Sequence, residues 1–295
     1  MLKSREEVNV LVEALPYLME FKDKTVVIKY GGNAMINEDL KNKVLKDIVF
    51  LHCAGMRPVV VHGGGPEITS MLKKLDKKSE FLNGLRVTDS ETVTIAEMVL
   101  VGKINTELVQ LVNAQGGRAI GLNGKDSNLV VAKKHLAEVY ENGEIRPIDI
   151  GFVGEVEKIN VQLIEDLLEK GYIPIIAPTG VGASGETYNI NADSIAGEVA
   201  GALKAEKLLL LTDVKGIFAD YRDESTFIST LTFEKAQELM IKGDIDGGMI
   251  PKVKACVTAL SGGARKTHII DGREPHSILM ELFTNAGVGT EVVKE

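Results

Sequence analysis

The sequence predicts an α/β fold built on a mainly parallel sheet with both faces covered. From Thr25 onward, short β-rich runs alternate with helical patterns, an order typical of parallel sheets. The strand-like runs are continuously apolar, as expected for strands buried on both faces. Six runs read as strands, at residues 25–30, 57–62, 119–124, 173–178, 207–213 and 267–271. Helical patterns lie between them, at residues 39–54, 90–114, 160–170, 192–202, 232–241 and 249–260.

The residues ahead of the first strand, 4–20, read as an amphipathic helix. Ser4 and Glu7 form a candidate capping box, and Pro16 is expected to kink or break the helix. The apolar face needs a partner, which is either the rest of the same domain or another subunit. Both possibilities remain open from the sequence.

Two further segments, 129–133 and 145–159, look like additional strands with Gly143 and Gly151 at turns. We place a soft division of the chain near residue 180. No linker-like change in composition marks it.

Composition excludes several classes of protein. The 295 residues carry 34 Lys and Arg against 42 Asp and Glu, a net charge of −8, so no general basic face for nucleic acid is expected. The two cysteines, Cys53 and Cys256, lie in apolar stretches and are interpreted as small core residues. The acidic N-terminus does not resemble a secretory signal, and the longest apolar runs are far short of a membrane span. A cytoplasmic protein is predicted.

Glycine clusters follow the first two predicted strands. Gly31 and Gly32 end the first strand, and Gly63, Gly64 and Gly65 end the second. In open α/β sheets, ligands bind where strands end at their carboxyl edges. Glycine allows backbone N–H groups to approach an anion closely, and a following helix N-terminus favours negative charge. Taken singly, either loop is as easily a tight turn, but together they favour phosphate chemistry.

Glycine clusters also occur in other kinds of ligand-binding site. The P-loop pattern is absent, which disfavours a Walker-type NTPase. Gly180, Gly182 and Gly185 form a G-x-G-x-x-G pattern and leave an NAD-linked oxidoreductase as an alternative, although no helix is predicted to begin directly after them. The HGGG run at 62–65 resembles an esterase oxyanion loop, but no G-x-S-x-G nucleophile elbow accompanies it.

Two lysines are placed where phosphoryl transfer would need cations. Transfer to a carboxylate requires the approach of two anions and neutralisation of charge on the transferred group. Lys29 lies in the first strand, directly before the glycines, and Lys252 opens an apolar helix after Pro251. Taken alone, each lysine is more typical of a solvated surface residue.

Polar residues elsewhere add candidate ligand contacts. Asn189 and Asn191 would share a face of an extended segment, and Asp193 is a candidate helix cap. Arg86 is suited to a bidentate carboxylate contact. Asp213 ends the strongest strand, where a nucleotide is expected.

Taken together, these motifs resemble those of N-acetylglutamate kinases, within the amino acid kinase family. The matching runs are VIKYGGNAM, VVVHGGGPEI, NGLRVTD, YNINADSIAGEVAGAL, LLLTDVKGI and GGMIPKVKA, in order from about residue 25 to the C-terminus. The resemblance implies a three-layer αβα sandwich around an open, mainly parallel sheet. It also implies ATP-dependent phosphorylation of the γ-carboxylate of N-acetyl-L-glutamate, with Mg²⁺ held mostly by the phosphates and no protein metal ligand named.

The resemblance also implies roles for individual residues. Lys29 and Lys252 would stabilise the transition state, with Asp193 holding both. The implied substrate contacts are Gly64, Gly65, Arg86, Asn189 and Asn191. The implied nucleotide contacts are Gly31, Gly32, Asp213, Lys215, Gly216 and Met249.

Regulation is a further expectation from the resemblance. Members with a helix ahead of the first strand resemble an arginine-inhibited hexamer, a trimer of dimers interlaced by those helices. Segment 276–290 is similar to the part of such enzymes that shapes the arginine site, with Glu281 and Gly287 as contacts. The resulting division is 1–20 for oligomerisation, 21–180 for acetylglutamate and 181–295 for the nucleotide.

Alternatives remain within and beyond the family. Carbamate, aspartate, glutamate 5- and uridylate kinases share the fold and the glycine loops, so the choice of substrate depends on NGLRVTD and NINAD. A non-catalytic arginine sensor is a third class, disfavoured because both lysines are present.

Overall fold

The structure, a computed structural model, describes residues 9, 12–32, 35, 37–141, 144–220, 222–242, 245, 247–284 and 287–294. Ser4, Glu7 and Gly143 lie outside the described residues. The prediction that Pro16 interrupts the first helix is confirmed, because helix α1 (Leu15–Phe21) begins with this proline in its first turn.

Sixteen strands occur in this part of the chain. They are β1 (Thr25–Tyr30), β2 (Arg57–His62), β3 (Phe81–Leu82), β4 (Leu85–Arg86), β5 (Ala119–Leu122), β6 (Val130–Glu141), β7 (Glu144–Ile159), β8 (Ile173–Ile176), β9 (Thr179–Val181), β10 (Thr187–Asn189), β11 (Lys207–Thr212), β12 (Ile217–Phe218), β13 (Phe227–Ile228), β14 (Thr230–Thr232), β15 (Lys266–Asp271) and β16 (Thr290–Val293).

The helices that follow α1 are α2 (Glu38–Cys53), α3 (Gly65–Lys74), α4 (Ser90–Glu97), α5 (Thr106–Ala114), α6 (Gln162–Glu169), α7 (Ala192–Ala202), α8 (Phe233–Lys242), α9 (Ile250–Gly262) and α10 (Ser277–Phe283). A π-helix, Met98–Asn105, joins α4 to α5. The local sequence explains where several of these helices begin. Asn37, Asp89 and Asn191 each accept backbone N–H groups as N-caps, and a proline opens α3 and α9.

Eight strands form one sheet in the order β14-β16-β15-β11-β1-β2-β8-β5. Neighbouring strands run parallel except for β15 and β16, which are antiparallel. Strands from before residue 180 occupy one half of the sheet, and strands from after it occupy the other. Strands β1 and β11 meet in the middle, so their carboxyl ends lie side by side.

Helices cover both faces of this sheet, which confirms the predicted α/β class. Alternate residues of β1 enter different cores: Val27 packs in the core that contains α6, α7, α8 and α9, whereas Val26 and Ile28 pack in the core that contains α2, α3, α5 and α10. Burial on both faces explains why the strands read as continuous apolar runs.

A second, smaller β unit lies beside the sheet. Strands β10, β7, β6 and β9 close into a four-stranded barrel, which the sequence analysis did not predict. The expectation of a turn at Gly151 is wrong, because Gly151 lies inside β7 and bridges to Thr88. Its φ is +86°, and an added Cβ would lie 2.1 Å from Thr88 O. Glycine is needed here for close backbone approach rather than for a turn.

The two cysteines differ from each other. Cys256 is buried, as predicted, and burial raises the pKa of its thiol to about 12. Cys53 is exposed at the end of α2, so its assignment to the core is wrong. An apolar neighbourhood in sequence does not fix which side of a helix end faces solvent.

Helices α7 and α9 approach closely enough to require small residues. An added Cβ on Gly197 would lie 2.6 Å from Ala255 O, and one on Gly201 would lie 3.1 Å from the Cα of Gly262. The contacts at both positions are backbone atoms, which cannot rotate aside. Glycine therefore sets the distance between the two helices.

Replacing Gly197 by alanine should force α7 and α9 apart. We expect the free energy of unfolding to fall by about 1–3 kcal/mol, as for overpacked cores. Urea denaturation of the variant and the wild type measures this difference. The matched control is Gly102→Ala in the π-helix, where an added Cβ meets nothing within 4 Å. Equal stability of Gly197→Ala and Gly102→Ala would contradict the packing argument.

Candidate active site

A buried carboxylate lies between two lysines at the centre of the sheet's carboxyl edge. Lys29 Nζ is 3.0 Å from Asp193 Oδ1, and Lys252 Nζ is 3.4 Å from Asp193 Oδ2. Lys29 comes from β1, Asp193 from the first turn of α7, and Lys252 from the first turn of α9. Lys252 Nζ also donates to Gly248 O at 3.4 Å. Three elements distant in sequence thus place their charged groups together.

Asp193 holds its charge despite its burial. Burial by itself raises the pKa of a carboxyl, but the ammonium groups of Lys29 and Lys252 outweigh it and hold the pKa of Asp193 below its ordinary value. A single carboxylate between two ammonium groups leaves one positive charge in excess. The group as a whole therefore favours an anion nearby.

The two glycine loops touch each other beside these lysines. Gly63 N donates to Tyr30 O at 2.7 Å. An added Cβ on Gly31 would lie 2.9 Å from Lys29 Nζ and 3.8 Å from the Cα of Gly63. Side chains at these positions would occupy the space in front of the lysine. The loops are therefore open to a ligand through their backbones.

A cavity of about 210 Å³ extends from these loops. Its walls include Lys29, Asp193 and the Gly63–Gly65 loop, with Val153 contributed by the barrel. Of the predicted substrate contacts, Gly64, Gly65, Arg86, Asn189 and Asn191 all line this cavity. The structure thus brings the predicted substrate residues and two of the three charged residues to one cavity.

Arg86 is held rigidly at the cavity wall. Its NH2 donates to Gly65 O at 2.9 Å and to Thr69 Oγ1 at 2.8 Å, and its NH1 donates to Ser79 Oγ at 2.7 Å. The guanidinium also stacks 4.6 Å from the centre of the Phe81 ring. Burial lowers the pKa of Arg86, but guanidinium groups stay protonated in proteins.

The two asparagines, Asn189 and Asn191, have different roles in the local structure. Asn189 ends β10, whereas Asn191 caps α7 by accepting from Asp193 N at 2.8 Å and Ser194 N at 3.1 Å. The interpretation of Asp193 as a helix cap is therefore wrong. The cap made by Asn191 instead frees Asp193 to turn toward the lysines.

Of the residues predicted to bind the nucleotide, Gly31 and Gly32 follow β1, and the others come after β11. Of the described residues, Gly31, Gly32, Asp213, Lys215, Gly216 and Met249 do not line the cavity. Gly32 has φ +72°, and an added Cβ would lie 2.8 Å from Asp213 Oδ1, so β1 and β11 bring these two residues together.

Three of these residues have structural neighbours of their own. Lys215 pairs with Glu224 at 3.0 Å on the surface. Gly216 packs against Thr290, where an added Cβ would lie 2.6 Å from Thr290 Oγ1. Met249 directly precedes α9, three positions before Lys252.

The pair Glu281 and Gly287 is brought together as well. Glu281 Oε2 accepts from Val288 N at 3.0 Å, and Oε1 lies 2.8 Å from His268 Nδ1. Burial raises the pKa of Glu281, but His268, the Val288 N–H and Lys207 outweigh it and hold the pKa at about 2. Gly287 has φ +60°, and an added Cβ would lie 2.8 Å from Glu281 Oε2.

The glycine pattern of the NAD alternative falls in a different structural context. Gly180 lies in β9, and Gly182 and Gly185 form the turn that leads to β10. The three glycines thus belong to a β-hairpin of the barrel. A dinucleotide site needs a helix N-terminus directly after the glycines, so this alternative is wrong.

Sequence reasoning missed the residues that orient Arg86. Thr69 Oγ1 donates to Gly65 O at 3.0 Å while it accepts from Arg86. Its position one turn after Gly65 in α3 was a weak signal, because serine and threonine often bond back to the preceding turn. Ser79 lies in a loop and gave no signal.

Within the described ranges, no group of three or more His, Cys, Asp or Glu side chains is gathered to hold a metal ion. In the same part of the chain, helices of membrane-spanning length and apolarity are not found.

Comparison with known proteins is consistent across sequence and structure. Residues 24–271 match a sequence model described as the amino acid kinase family. The chain is 58% identical over 288 residues to the acetylglutamate kinase of Moorella thermoacetica, covering 98% of this chain and 97% of that protein. It is 56% identical over 295 residues to the acetylglutamate kinase of Heliobacterium modesticaldum, covering 100% of both.

Solved structures with the same fold are also found. The N-acetylglutamate synthase from Neisseria gonorrhoeae complexed with coenzyme A and N-acetyl-glutamate gives a TM-score of 0.83 at 26% identity, covering 99% of this chain and 64% of that one. This chain therefore spans less than two thirds of the synthase. Carbamate kinase from Giardia lamblia bound to AMP-PNP gives a TM-score of 0.66 at 18% identity, covering 92% and 99%, a likeness of fold alone.

Asp193→Asn should destabilise the protein because it leaves two ammonium groups without their anion. Breaking a buried ion pair by removing one partner costs about 3–5 kcal/mol. A depressed pKa stabilises the folded state above the unfolded value of about 3.9, and this stabilisation is lost as the pH falls through the folded value. Urea unfolding across pH should therefore show a difference that shrinks below about pH 4.

The matched control is Asp39→Asn, which removes an exposed carboxylate that pairs with Lys43. Exposed ion pairs contribute little, so this variant should unfold close to the wild type. A difference for Asp193→Asn that grows as the pH is lowered would contradict a charged Asp193.

Proposed function

The chain belongs to the amino acid kinase family and is a kinase of small molecules, and we propose that it transfers the γ-phosphoryl group of ATP to the γ-carboxylate of N-acetyl-L-glutamate. The product is N-acetyl-L-glutamyl 5-phosphate, an acyl phosphate of arginine biosynthesis. The observation that carries the proposal is the Lys29–Asp193–Lys252 cluster beside two glycine loops. Because the proposed donor is ATP, we place the reaction in the cytoplasm.

The chemistry follows from the charges of the reactants. The acceptor carboxylate is ionised at neutral pH, so the reaction needs no general base. The barrier comes from bringing it against the γ-phosphoryl group and from charge spread over the transferred oxygens. Lys29 and Lys252 would supply positive charge on the two sides of the transferred group, and Asp193 would keep both ammonium groups in place.

The glycine loops would supply the remaining stabilisation. Backbone N–H groups of Gly32 and of Gly64 and Gly65 would donate to phosphoryl and substrate oxygens. Such donors act without reorganisation because the loops are fixed, as by the Gly63–Tyr30 hydrogen bond.

The fit of Mg²⁺ follows from the donors present. Asp193 is engaged by two lysines, and no chelating carboxylate cluster is found among the described residues. The Mg²⁺ that accompanies ATP would therefore be held by phosphate oxygens, where it neutralises charge on the nucleotide. All other proposed contacts to the substrates are made by residues of the protein.

The substrate side of the proposal depends on Arg86 and the asparagines. Arg86 lies at the same cavity as Lys29, with Asn189 and Asn191 on the opposite segment. A guanidinium held by Thr69 and Ser79 is suited to the α-carboxylate of acetylglutamate. The amides of Asn189 and Asn191 would bind the remaining polar groups of the substrate.

The nucleotide would lie toward the other half of the sheet. Asp213, Lys215 and Gly216 follow β11, and Met249 precedes the helix that carries Lys252. We accordingly assign residues 21–180 to acetylglutamate and 181–295 to ATP. The reacting groups would meet where β1 and β11 adjoin.

The reaction is tested by trapping its product. Hydroxylamine converts an acyl phosphate to a hydroxamate, so ATP is supplied with acetylglutamate, glutamate, aspartate or carbamate in separate assays. We expect product chiefly with acetylglutamate, because it alone of the four combines a neutral, acylated nitrogen for the two asparagines with a second carboxylate for Arg86. Preference for another acceptor would overturn the proposed substrate.

The same assay tests the lysine. Lys252→Ala should lower kcat by ~10²–10³, the cost of removing one positioned donor. Lys254→Ala is the matched control, since Lys254 is exposed on the same helix, and it should turn over near the wild-type rate. Near-normal turnover of Lys252→Ala would remove the lysine from the mechanism.

We also propose that the enzyme is a hexamer, a trimer of dimers, and that arginine inhibits it. Helix α1 contacts α10, since the Tyr17 and Phe283 rings are 6.2 Å apart. It also contacts β11, since Lys207 Nζ lies 5.5 Å from the centre of the Phe21 ring. The N-terminal helix therefore adjoins the segment that contains Glu281. The buried negative charge of Glu281 suits a guanidinium.

The outward face of α1 suits a partner subunit. Leu15 and Met19 are 51% and 71% exposed and lie four residues apart, so they are neighbours on one face of the helix. The proposed occupant is the same helix of a second dimer. The helix would link oligomer assembly to the arginine site.

Replacing Leu15 and Met19 together by aspartate should reduce the hexamer to dimers and weaken arginine inhibition while catalysis continues, because charge at an apolar contact opposes burial. Deleting residues 1–20 should do the same. Light scattering gives the mass, and the hydroxamate assay with added arginine gives the inhibition. Ile241→Asp, on another exposed apolar side chain, is the matched control. A hexamer that survives both changes would contradict this assembly.

A further inference from the structure

Beneath the Gly63–Gly65 loop lies a buried hydrogen-bonded chain that the proposed mechanism does not use. Asn105, the last residue of the π-helix, is 4% exposed, and His62, the last residue of β2, is fully buried. Asn105 Nδ2 lies 3.1 Å from His62 Nε2, and His62 Nδ1 lies 2.8 Å from Gly63 O. The chain thus runs from the π-helix to the glycine loop.

The carbonyl groups around this chain fix the direction of every hydrogen bond. Asn105 Nδ2 is 2.8 Å from Ile175 O, and a carbonyl oxygen only accepts, so the amide nitrogen must face it. The second hydrogen of the same NH2 group goes to His62 Nε2 at 3.1 Å, which is nearer than the other acceptor in reach, Leu122 O at 3.5 Å. Since Nε2 accepts, the neutral ring carries its proton on Nδ1, which donates to Gly63 O.

His62 remains neutral around physiological pH. Burial lowers the pKa of His62 to about 4. A neutral imidazole has one donor and one acceptor nitrogen. The contacts therefore allow a single tautomer.

The orientation of Gly63 O sets the orientation of the next amide. In a trans peptide, the C=O of Gly63 and the N–H of Gly64 point in opposite directions. Because the Gly63 C=O points to the buried imidazole, the Gly64 N–H points away from the core, toward the cavity that Gly63 and Gly64 line. The N–H of Gly63 is fixed separately, by Tyr30 O at 2.7 Å.

The π-helix places three of its side chains beneath the glycine loop. Its wider turn brings Leu100 and Ile104 under the loop, where an added Cβ on Gly64 would lie 2.6 Å from each of them. Asn105 fits because Gly121 of β5 has no side chain, and a Cβ there would lie 2.0 Å from Asn105 Oδ1. Segments of π-helix are rare in proteins and are frequent at functional sites.

We propose that Asn105 is a positioning residue for phosphoryl transfer: it fixes the tautomer of His62, and His62 in turn aims the Gly64 amide at the transferred group. This inference rests on the proposed function for its kinetic consequence, but its geometry does not depend on the substrate. A misdirected Gly64 amide would weaken binding of the transition state more than binding of the substrates. The loss should therefore appear in kcat rather than in KM.

The hydrogen-bond directions are tested in the free enzyme, by nuclear magnetic resonance of protein labelled with ¹⁵N in histidine. The His62 ring, assigned by its disappearance in His62→Asn, should show a proton on Nδ1 and a bare Nε2 that do not titrate between about pH 6 and about pH 8. Asn105→Leu should shift the Nε2 resonance, because its donor is removed. A proton on Nε2 in the wild type, or an unchanged Nε2 resonance in Asn105→Leu, would overturn the proposal.

The kinetic role is tested by two substitutions of His62 that differ in one donor. His62→Asn places an amide nitrogen where Nδ1 lies and can still donate to Gly63 O, whereas His62→Leu cannot. Both leave Asn105 without its imidazole partner, so the loss of that contact is common to the two. Thermal unfolding of each variant identifies the temperature range in which it is folded, and kcat is measured there.

Misplacing a catalytic donor by about 1 Å costs on the order of 10²-fold in rate. We expect His62→Leu and Asn105→Leu to lose between about 10-fold and about 100-fold in kcat with KM nearly unchanged. His62→Asn should retain most of the wild-type kcat. Equal kcat values for His62→Asn and His62→Leu would contradict the positioning role.

Failure of this proposal is distinguishable from failure of the proposed function. If the wild type forms product with another acceptor, the comparison of His62 variants is made with that acceptor. If the wild type forms none, the kinase assignment falls, and the imidazole spectra decide the hydrogen-bonded chain.

Discussion

The organisation of the site depends on one electrostatic constraint, the placement of two ammonium groups next to each other. Lys29 and Lys252 lie 3.0 Å and 3.4 Å from the same carboxylate, so their ammonium groups repel each other, and each is largely removed from water. Asp193 makes the arrangement stable because it offers one oxygen to each lysine. Burial raises the pKa of Asp193, but the two lysines outweigh it and hold the pKa below its ordinary value, so the carboxylate stays ionised. The three charges therefore hold together as a unit, with a net positive charge directed at the cavity.

The fold serves this constraint by fixing three distant elements. Strand β1 is central in the sheet, so the backbone that carries Lys29 is held by a strand on each side. Helices α7 and α9 deliver Asp193 and Lys252 from their first turns, and the glycines between these helices fix their separation. Because Asn191 caps α7, the side chain of Asp193 two residues later is not needed as a cap and pairs with the lysines instead. Backbone contacts in the helices thus control the distances between charges in the site.

A second group of residues, on the other face of the sheet, orients the backbone of the Gly63–Gly65 loop. Arg86, Thr69 and Gly65 form a closed group of hydrogen bonds at one end of the loop, while His62 and Asn105 hold its other end from below. The loop therefore presents amides whose directions are set by buried neutral groups. Charge and direction come from different layers of the sandwich, and the sheet's carboxyl edge is where they meet.

The sequence by itself determined the α/β class, the six main strands to within two residues, and the residue types of an anion-binding site, because continuous apolar runs, glycine clusters and strand-end lysines are local signals. Local patterns did not reveal the barrel, the bridge at Gly151, the exposure of Cys53, or the group of Thr69, Ser79 and Asn105 that orients the site. Those features depend on contacts between residues far apart in the chain. Whether Asp193 capped a helix or joined two lysines was decided only when α7, α9 and β1 were packed together, since the energy of a charge depends on what surrounds it in space.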